Sequence, residues 1–538
     1  MKIERVAVPA VIVALVLLPL LFSREPLKDG QGLRQLVIIS PHNEQIRTEF
    51  ARAFERWHAG THGEGVYVAW STPGGTSEIR RMLRSQWEAA LLEDVPVGGD
   101  ADLMFGGGSY EFTQLSKPVT VTDASGAERS ATILEPLAFP PDFLDSIYGT
   151  THTIADVPLY SPDGYWFGAA LSGFGIVFNR DLLARLEVPD PEVWADLADP
   201  RLVGEVSLVN PLQSGSVTTA FEAILARLGW QEGWRILHRT AANARSFAPS
   251  APVTPLMVSA GQAAAGICID FYGRYQAQAM KTSDLRHGTR TPDQPDRIGY
   301  IDPPRQTVID PDPIGVLRNA PDPELARRFV EFVLSPEGQS LWQFKVDDPA
   351  DDGLGPTEFE LRRMPIRKSM YSMIERFTDQ VDPYRIAEPV KYPNSAFRTF
   401  IPILFDSMAM RDSALLTRAW RAIIEHPGYP DRPGIVTEAD VEDPGLREML
   451  RLFDAFPSVP GPEGESLDLG DAGVLQTVKA GWLRGGWSDR GLWPRVADPS
   501  QFLRVRLGAF YADNYRRIID LAGSGGRSAD ADQLPRGG

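Results

Sequence analysis

One stretch near the N-terminal end of the chain alternates between two hydrophobic patterns, and this alternation constrains the fold more than any other feature. Three β-rich runs are separated by two segments with apolar residues at helical spacing, in the order Gln35–Ser40, Glu44–His58, Gly63–Ala69, Thr76–Leu92 and Ala101–Phe105. The connections between these segments are short. Strands joined through single helices in this way lie parallel in one sheet, so the sequence predicts an α/β fold.

A second unit of the same kind follows, at roughly residues 160–300. It contains the apolar run Gly164–Asn179, a strand at Glu205–Val209, a helix that opens at Ser214 and a buried strand at Ala263–Phe271. A chain of 538 residues is long enough for about two to four domains. The sequence therefore predicts two α/β units.

The last part of the chain has a different pattern. Residues 360–426 are mostly helical in their spacing of apolar residues, and Phe502–Leu521 is a further helical stretch. Gly523–Gly538 is rich in glycine and polar residues, which predicts a disordered tail. The two α/β units are thus expected to carry a mainly helical C-terminal extension.

The N-terminal segment predicts the compartment. Lys2 and Arg5 precede an uninterrupted apolar run, Val6–Phe22. A basic start followed by an apolar stretch is typical of an export signal, and this run is at the lower length limit for crossing a bilayer. Because no small-x-small cleavage site ends the run, the sequence favours an uncleaved membrane anchor over a cleaved signal. We expect the rest of the chain to be periplasmic or otherwise extracytoplasmic.

Composition excludes several classes of protein. The chain is 43% hydrophobic and 23% charged, which argues against wholesale disorder and against a polytopic membrane protein. Its formal net charge of −17 would repel a phosphate backbone, so we expect no nucleic-acid partner. The single cysteine, Cys268, excludes an internal disulfide, a CxxC motif and a cysteine-rich zinc site.

Several ordered segments together resemble one family. They are LVIISPHNEQIRTEFARAFERW, ADLMFGGGSYEFTQL, GYWFGAALSGFGIVFNRDLL, WADLADPRLVGEVSLVNPLQSGSVTTAF, GQAAAGICIDFYGRY and IDPDPIGVLRNAPDPELARRFVEFVLSPEGQSLW. Their order and spacing resemble bacterial extracellular solute-binding proteins of the type II periplasmic-binding class, nearest to the ferric-iron and organophosphonate receptors of ABC importers. The resemblance covers residues 34–345 and extends more loosely to residue 426.

The resemblance implies a two-lobed periplasmic-binding-protein-like fold with crossover strands and a ligand cleft between the lobes. The corresponding boundaries are 1–30 for a signal or membrane anchor, 34–158 with 300–345 for lobe 1, 159–299 for lobe 2, 346–430 for a helical continuation and 431–538 for a C-terminal extension with a disordered tail. The implied protein is a monomer that binds a small polar or anionic solute, or a metal, and delivers it to ABC permease subunits. We expect no enzyme activity and no cofactor.

The residues themselves point to four loops of the cleft, and two of them are glycine- and serine-rich. Ser214, Gly215 and Ser216 open an apolar helix, where free amides, hydroxyls and the helix dipole attract anions. A plain N-cap is the commoner use of serine at such a position. Gly107 and Gly108 follow the third strand and can expose their amides to a ligand. The same loop brings the hydroxyl of Ser109, although a tight strand–helix turn explains these glycines equally well.

Two further loops complete the candidate site. His42 and Asn43 follow the first strand, and in similar iron receptors a histidine in this loop can ligate metal. Asp270 and Tyr272 end the buried strand of the second unit, where ferric-iron receptors often carry adjacent tyrosines. Here the first of the pair is Phe271. A bound metal would thus have His42 and Tyr272 as ligands, whereas a polar or anionic organic solute fits this residue set at least as well.

Two alternative functions remain open from the sequence. A membrane-tethered sensor or scaffold is suggested by the extension and by Trp482, Trp487 and Trp493, which either pack that region or form a partner surface. A secreted hydrolase is the weaker alternative, because the chain contains no HExxH, GxSxG, CxxC or P-loop motif.

Overall fold

The computed structural model describes residues 32–123, 126–348, 350, 352–391, 396–432, 434–487 and 496–531, with the backbone alone over 524–531. The N-terminal apolar segment and Trp493 lie outside the described residues. The strands are β1 (Arg34–Ile39), β2 (Val66–Ser71), β3 (Leu103–Phe105), β4 (Val119–Thr122), β5 (Glu128–Ala131), β6 (Leu134–Glu135), β7 (Thr153–Ile154), β8 (Val157–Pro158), β9 (Phe167–Ser172), β10 (Phe174–Asn179), β11 (Val206–Val209), β12 (Ala244–Ala248), β13 (Ala265–Ile269), β14 (Ile298–Ile301), β15 (Asp310–Leu317), β16 (Met364–Pro365), β17 (Ser458–Pro460) and β18 (Ser466–Asp468).

Helices separate most of these strands. They are α1 (Glu44–His62), α2 (Thr76–Glu93), α3 (Ser109–Leu115), α4 (Pro141–Tyr148), α5 (Arg180–Arg185), α6 (Gly215–Leu228), α7 (Trp230–Ala242), α8 (Val253–Ser259), α9 (Asp270–His287), α10 (Pro323–Leu334), α11 (Pro336–Ser340), α12 (Pro383–Ile386), α13 (Phe397–Phe405), α14 (Ser413–Ile424), α15 (Pro444–Asp454), α16 (Leu475–Val478) and α17 (Pro499–Ala531).

Two sheets form two lobes, which confirms the predicted α/β fold with two units. The sheet of lobe 1 has the order β16-β9-β15-β3-β1-β2, and β6 also pairs with β15. The sheet of lobe 2 has the order β12-β11-β13-β10-β14. In both sheets a parallel group of three strands is followed by an antiparallel strand, β15 in lobe 1 and β10 in lobe 2. The carboxyl ends of each parallel group face the other lobe, where open α/β sheets bind ligands.

Two strand connections join the lobes. β9 belongs to lobe 1 and β10 to lobe 2, so the chain crosses between them at Gly173. It returns between β14 and β15, over residues 302–309. The sequence placed the first crossing at 158/159, and the structure moves it to Gly173. The reason is that Gly164–Asn179 is one continuous apolar run, so no change of composition marks the point where the strand leaves the sheet.

Local signals account for the first crossover helix. Asn43 caps α1 by accepting a hydrogen bond from the Ile46 amide at 3.1 Å. Phe50 and Phe54 lie one turn apart on the same face and are fully buried against the sheet. The helix ends at Gly63, whose φ of 69° is the left-handed conformation that glycine adopts without steric cost. The predicted helix over this segment is therefore confirmed.

The C-terminal region packs on lobe 2. Helices α13, α14, α15 and α17 contact one another and cover α6 and α7. Trp482 and Trp487 are buried there, with ring centroids 6.0 Å apart, so both of them pack the region. Helix α17 continues to Ala531 and so includes the first part of the predicted tail, while residues 532–538 lie outside the described residues. Within the described ranges, no helix has both the length and the apolar character needed to cross a bilayer.

Candidate ligand-binding cleft

A cavity of about 360 Å³ lies between the two lobes. Its wall is built from the loops that follow the parallel strands of both sheets. The lining residues are Pro41, His42, Gly74, Gly75, Thr76, Glu78, Gly107, Ser214, Ser216, Pro249, Ser250, Ala251, Pro252, Ile269, Phe271, Tyr272, Asp312 and Arg363. The cavity is large enough for a small organic solute.

The N-termini of two helices meet across this cavity. Helix α2 of lobe 1 begins at Thr76, and helix α6 of lobe 2 begins at Gly215 with Ser214 as its cap. The Gly215 amide donates a hydrogen bond to Thr76 Oγ1 at 3.2 Å, which closes the lobes at this point. Ser214 accepts from the Val217 amide at 3.4 Å, so its hydroxyl serves as the N-cap. The positive ends of both helix dipoles therefore face one cavity.

A buried ion pair forms another wall. Asp312 of β15 lies 2.6 Å from Arg363 Nη1 and 2.8 Å from His42 Nε2, and it also accepts a hydrogen bond from the Gly107 amide. Arg363 donates to Ser172 Oγ at 3.0 Å and lies over the Phe271 ring at 4.5 Å. The side chains of Asp312 and Arg363 are 1% and 4% exposed, so each charge depends on the other for compensation.

Burial and this charge pair determine the pKa values of the side chains that line the cavity. Burial lowers the pKa of His42, so the imidazole is neutral near pH 7. Burial alone would raise the pKa of Asp312, but Arg363 and His42 hold it below its ordinary value. Burial raises the pKa of Tyr272 to about 12, so this side chain offers a neutral phenol rather than a phenolate.

The structure brings together half of the residues that the sequence singled out. His42, Gly107, Ser214, Ser216 and Tyr272 all line the one cavity. They follow four different strands of the two sheets. These loops therefore converge on the gap between the lobes.

The other predicted site residues are engaged elsewhere and do not line the cavity. Asn43 caps α1, and Gly108 is the N-cap position of α3. Ser109 donates to Asp310 Oδ1 at 2.6 Å, and the Gly215 amide is taken by Thr76. Asp270 lies behind the cavity, where its amide donates to the carbonyl of Gly173 at 3.1 Å.

Sequence reasoning missed several lining residues. Asp312 stands in a strand rich in aspartate and proline, and a buried strand carrying a carboxylate is a signal that could have been followed. Glu78 is on the first turn of α2, where it accepts a hydrogen bond from the Gly75 amide at 3.1 Å. Arg363 directly precedes β16, a strand of the lobe 1 sheet that the sequence placed in a helical continuation over 346–430. Nothing in its sequence neighbourhood distinguishes it from other arginines.

The donor set for a metal is small. Among the residues that the structure describes, no three histidine, cysteine, aspartate or glutamate side chains come together as a metal site requires. The two predicted metal ligands, His42 and Tyr272, both line the cavity, and His42 Nε2 is already beside Asp312.

Comparison with known sequences finds one family in part of the chain. Residues 146–354 match the family of bacterial extracellular solute-binding proteins. This match confirms, for these residues, the resemblance predicted from the sequence. The family match includes both connections between the lobes.

The individual relatives have low sequence identity to this chain. The chain is 26% identical over 276 residues to the phosphoglycerate transport regulatory protein PgtC of Salmonella typhimurium, a match that covers 51% of this chain and 59% of the relative. It is 29% identical over 171 residues to an uncharacterized protein of Haemophilus influenzae, covering 31% of this chain and 44% of that one. The matches thus span less than two thirds of these curated relatives.

The similarity to solved structures is low. The periplasmic binding protein AfuA from Actinobacillus pleuropneumoniae, with fructose-6-phosphate bound, is 16% identical with a TM-score of 0.49, and the match covers 73% of this chain and 99% of AfuA. Iron-bound HitA from Pseudomonas aeruginosa is 17% identical with a TM-score of 0.44, covering 66% of this chain and 93% of HitA.

Proposed function

We propose that this chain is an extracytoplasmic receptor that holds a small polar or anionic solute between its lobes and delivers it to an ABC importer. The observation that carries the proposal is the meeting of the α2 and α6 N-termini at one interlobe cavity. The family match over residues 146–354 supports the receptor role. A cleft that closes around a solute gives the permease a signal that the receptor is loaded.

The polar groups of the cavity favour an anion over a cation. The first turns of α2 and α6 direct backbone amides toward it, and Ser216 adds a hydroxyl group that is not buried. The guanidinium of Arg363 stands in the wall, where it balances Asp312. Glu78 is the opposing charge, but it accepts a hydrogen bond from the Gly75 amide. A phosphorylated carboxylic acid, the class named for the PgtC relative, is the first solute to test.

A thermal-shift screen tests this proposal. The probes are phosphoglycerate, a sugar phosphate, an alkyl phosphonate, thiamine, a polyamine and ferric citrate. We expect one anionic organic class to raise the melting temperature in a concentration-dependent way, because a ligand that binds only the folded state stabilises it. If no probe changes the melting temperature, the receptor proposal fails, and if ferric ion alone does so, the solute is a metal.

One substitution separates an anion from a metal. Ser216→Asp adds a carboxylate at the start of α6, beside the cavity. It should weaken the binding of an anionic solute by about tenfold or more through charge repulsion, and it should not weaken the binding of a cation. Ser372→Asp, on an exposed turn away from the cleft, is the matched control and should leave the affinity unchanged.

A membrane-tethered solute sensor is the second candidate. It is favoured by the name of the PgtC relative, a transport regulatory protein, and by the helical region packed on lobe 2. In this case the N-terminal apolar segment would hold the receptor at the membrane beside a signalling partner. Affinity purification from membranes separates the two roles, because permease and ATPase subunits indicate transport whereas a histidine kinase indicates sensing.

A further inference from the structure

The edge of the lobe 2 sheet borders a large open groove that the solute cleft does not use. The groove has a volume of about 760 Å³ and lies between strand β12 and helix α14. Its lining residues are Asn210, Leu212, Ala244, Arg245, Ser246, Phe247, Asp406, Met410, Ser413, Ala414, Thr417, Arg418 and Arg421. The helix contributes residues spaced three and four apart, so one face of α14 forms a wall.

The groove is strongly positive although the chain as a whole is strongly negative. Arg245, Arg418 and Arg421 all line it and are all exposed. In the described part of the chain, the Arg418 guanidinium has no hydrogen-bond or ion-pair partner, and Arg421 has only a 3.9 Å contact with an exposed glutamate. The single carboxylate of the wall, Asp406, is already accompanied by two other arginines, at 3.4 and 3.8 Å.

The floor of the groove is an open sheet edge. β12 is the terminal strand of its sheet and pairs in parallel with β11. Over the described residues, no other strand pairs with the outer edge of β12. An unpaired edge presents a row of backbone N–H and C=O groups to which another extended segment can add. Here that row runs beside three arginine side chains.

We infer that this groove binds an extended acidic polypeptide segment of a partner protein, which adds as a strand to β12. A strand places alternate side chains on one face, so carboxylates at every second position would face Arg245, Arg418 and Arg421. The backbone edge supplies affinity, and the arginines supply the preference for acidic sequences. This surface is separate from the solute cavity and does not depend on which solute the cleft holds.

The groove also adjoins the cleft. Asn210 and Leu212 line the groove and lead directly to Ser214, which lines the cavity. The carbonyl of Leu212 accepts a hydrogen bond from Arg81 of lobe 1 at 3.5 Å. A segment bound in the groove therefore lies against the loop that contacts lobe 1 when the lobes are closed.

Fluorescence anisotropy with the full chain tests the inference. The probe is a labelled peptide of about eight residues that alternates glutamate and valine, and the reference is the same peptide with lysine in place of glutamate. We expect the acidic peptide to bind and the basic one not to bind. Arg418→Glu with Arg421→Glu should weaken binding about tenfold or more, since two attractive contacts become repulsive. Arg385→Glu, with a side chain 86% exposed and away from the groove, should change it less than about twofold.

Two further measurements separate strand addition from general attraction of polyanions. An acidic peptide N-methylated at alternate residues cannot donate along one edge and should lose binding. Hydrogen exchange should show new protection at the amides of β12 when the unmodified peptide is bound. The inference is overturned if the acidic peptide does not bind, if the double arginine reversal has no effect on a folded variant, or if heparin or phosphatidylglycerol vesicles displace the peptide while N-methylation has no effect.

Discussion

Asp270 is a buried carboxyl group beside both connections between the lobes. Its amide bonds to the carbonyl of Gly173 in the first connection, and Asp302 begins the second. Arg274 pairs with Asp302 and not with Asp270. Burial, with the nearby charge of Asp302, raises the pKa of Asp270 to about 7. Protonation of this residue therefore changes the charge beside the two interlobe connections close to neutral pH.

This raised pKa predicts a pH dependence of stability. The folded pKa of Asp270 lies above the value of about 3.9 in the unfolded chain, so the native state holds an extra proton between these two pH values. The contribution of this group to the free energy of unfolding is greatest below about pH 4. It falls as pH rises toward about 7, by up to roughly 4 kcal/mol. Asp270→Asn should remove this slope, and urea unfolding at pH 5 and pH 8 measures it.

The matched control is Asp513→Asn, since that carboxylate is 71% exposed. It should unfold like the parent chain at both pH values. The prediction is contradicted if the free energies of unfolding of the parent chain and the Asp270→Asn variant differ by the same amount at pH 5 and pH 8. The effect of the substitution would then be steric and independent of protonation.

At the scale of single residues, sequence reasoning found positions that follow strands and missed positions that depend on tertiary pairing. His42, Ser214 and Tyr272 were found because each stands just after a strand, and strand ends can be read from local pattern. Arg363 was missed because its role comes from Asp312, which is distant in the sequence. Gly215 was placed in the site, but its amide is taken by Thr76 of the other lobe, which no local pattern reveals.

At the scale of elements, the contact between α2 and α6 is the point at which the lobes close. A β-carbon on Gly215 would lie 2.6 Å from Glu111 Oε1 and 2.8 Å from Thr76 Oγ1. Glu111 has little freedom to move away, since Arg80 and Ser77 both donate to its carboxylate. The absence of a side chain at this position thus permits the two helix N-termini to approach.

Gly215→Ala should therefore hold the lobes slightly apart. We expect small-angle scattering to show a larger radius of gyration than for the parent chain, and the affinity for the cleft solute to fall about tenfold because the closed form is less populated. Gly60→Ala is the control, since a β-carbon there meets nothing within 4 Å in α1. An unchanged radius of gyration together with an unchanged solute affinity would show that the contact does not limit closure.

Elements with a strong local pattern were the easiest to predict. The segments of lobe 1 from β1 to β3 agree with their predicted positions because each strand and helix has a clear hydrophobic period and a cap or a turn at its end. The run Gly164–Asn179 was predicted only as β-rich. It forms β9 and β10 in different sheets, and the division depends on the partner strands that become available only in the folded chain.

At the scale of the whole molecule, the C-terminal helices belong to the same folded body as the two lobes. Arg398 of α13 donates to the carbonyl of Gly215 and to Glu222 of α6, both at 2.8 Å. Its guanidinium also lies 4.2 Å from the centre of the Tyr110 ring in lobe 1. One residue of the C-terminal region thus touches both lobes near the start of α6. The sequence predicted a helical region here but could not predict its contacts. The amphipathic pattern of a helix shows which face is buried and does not show which surface that face packs against.

Removal of this region should therefore destabilise lobe 2. His238 of α7 stacks on Phe453 with centroids 4.2 Å apart, and its Nε2 lies 2.6 Å from the hydroxyl of Tyr515. Trp230 donates its indole N–H to the carbonyl of Leu469 at 2.8 Å. A chain that ends at residue 391 would expose these side chains, and burial of one large apolar side chain contributes about 1.5–3 kcal/mol. We expect it to bind a hydrophobic dye and to lose cooperative thermal unfolding.

A chain that ends at Ala522 is the control for this truncation. It keeps the part of α17 that packs on α14 and α15, so it should unfold at nearly the same temperature as the full chain. If the chain ending at residue 391 instead melts cooperatively near the parent temperature, the C-terminal helices are an appended module. Water would then replace the buried contacts of α7 without loss of stability. That outcome would contradict our expectation, because exposure of a helix face that carries Trp230, Trp234 and His238 is unfavourable. Comparison of these two truncations by calorimetry thus decides whether the folded unit consists of two lobes alone or of two lobes completed by the C-terminal helices.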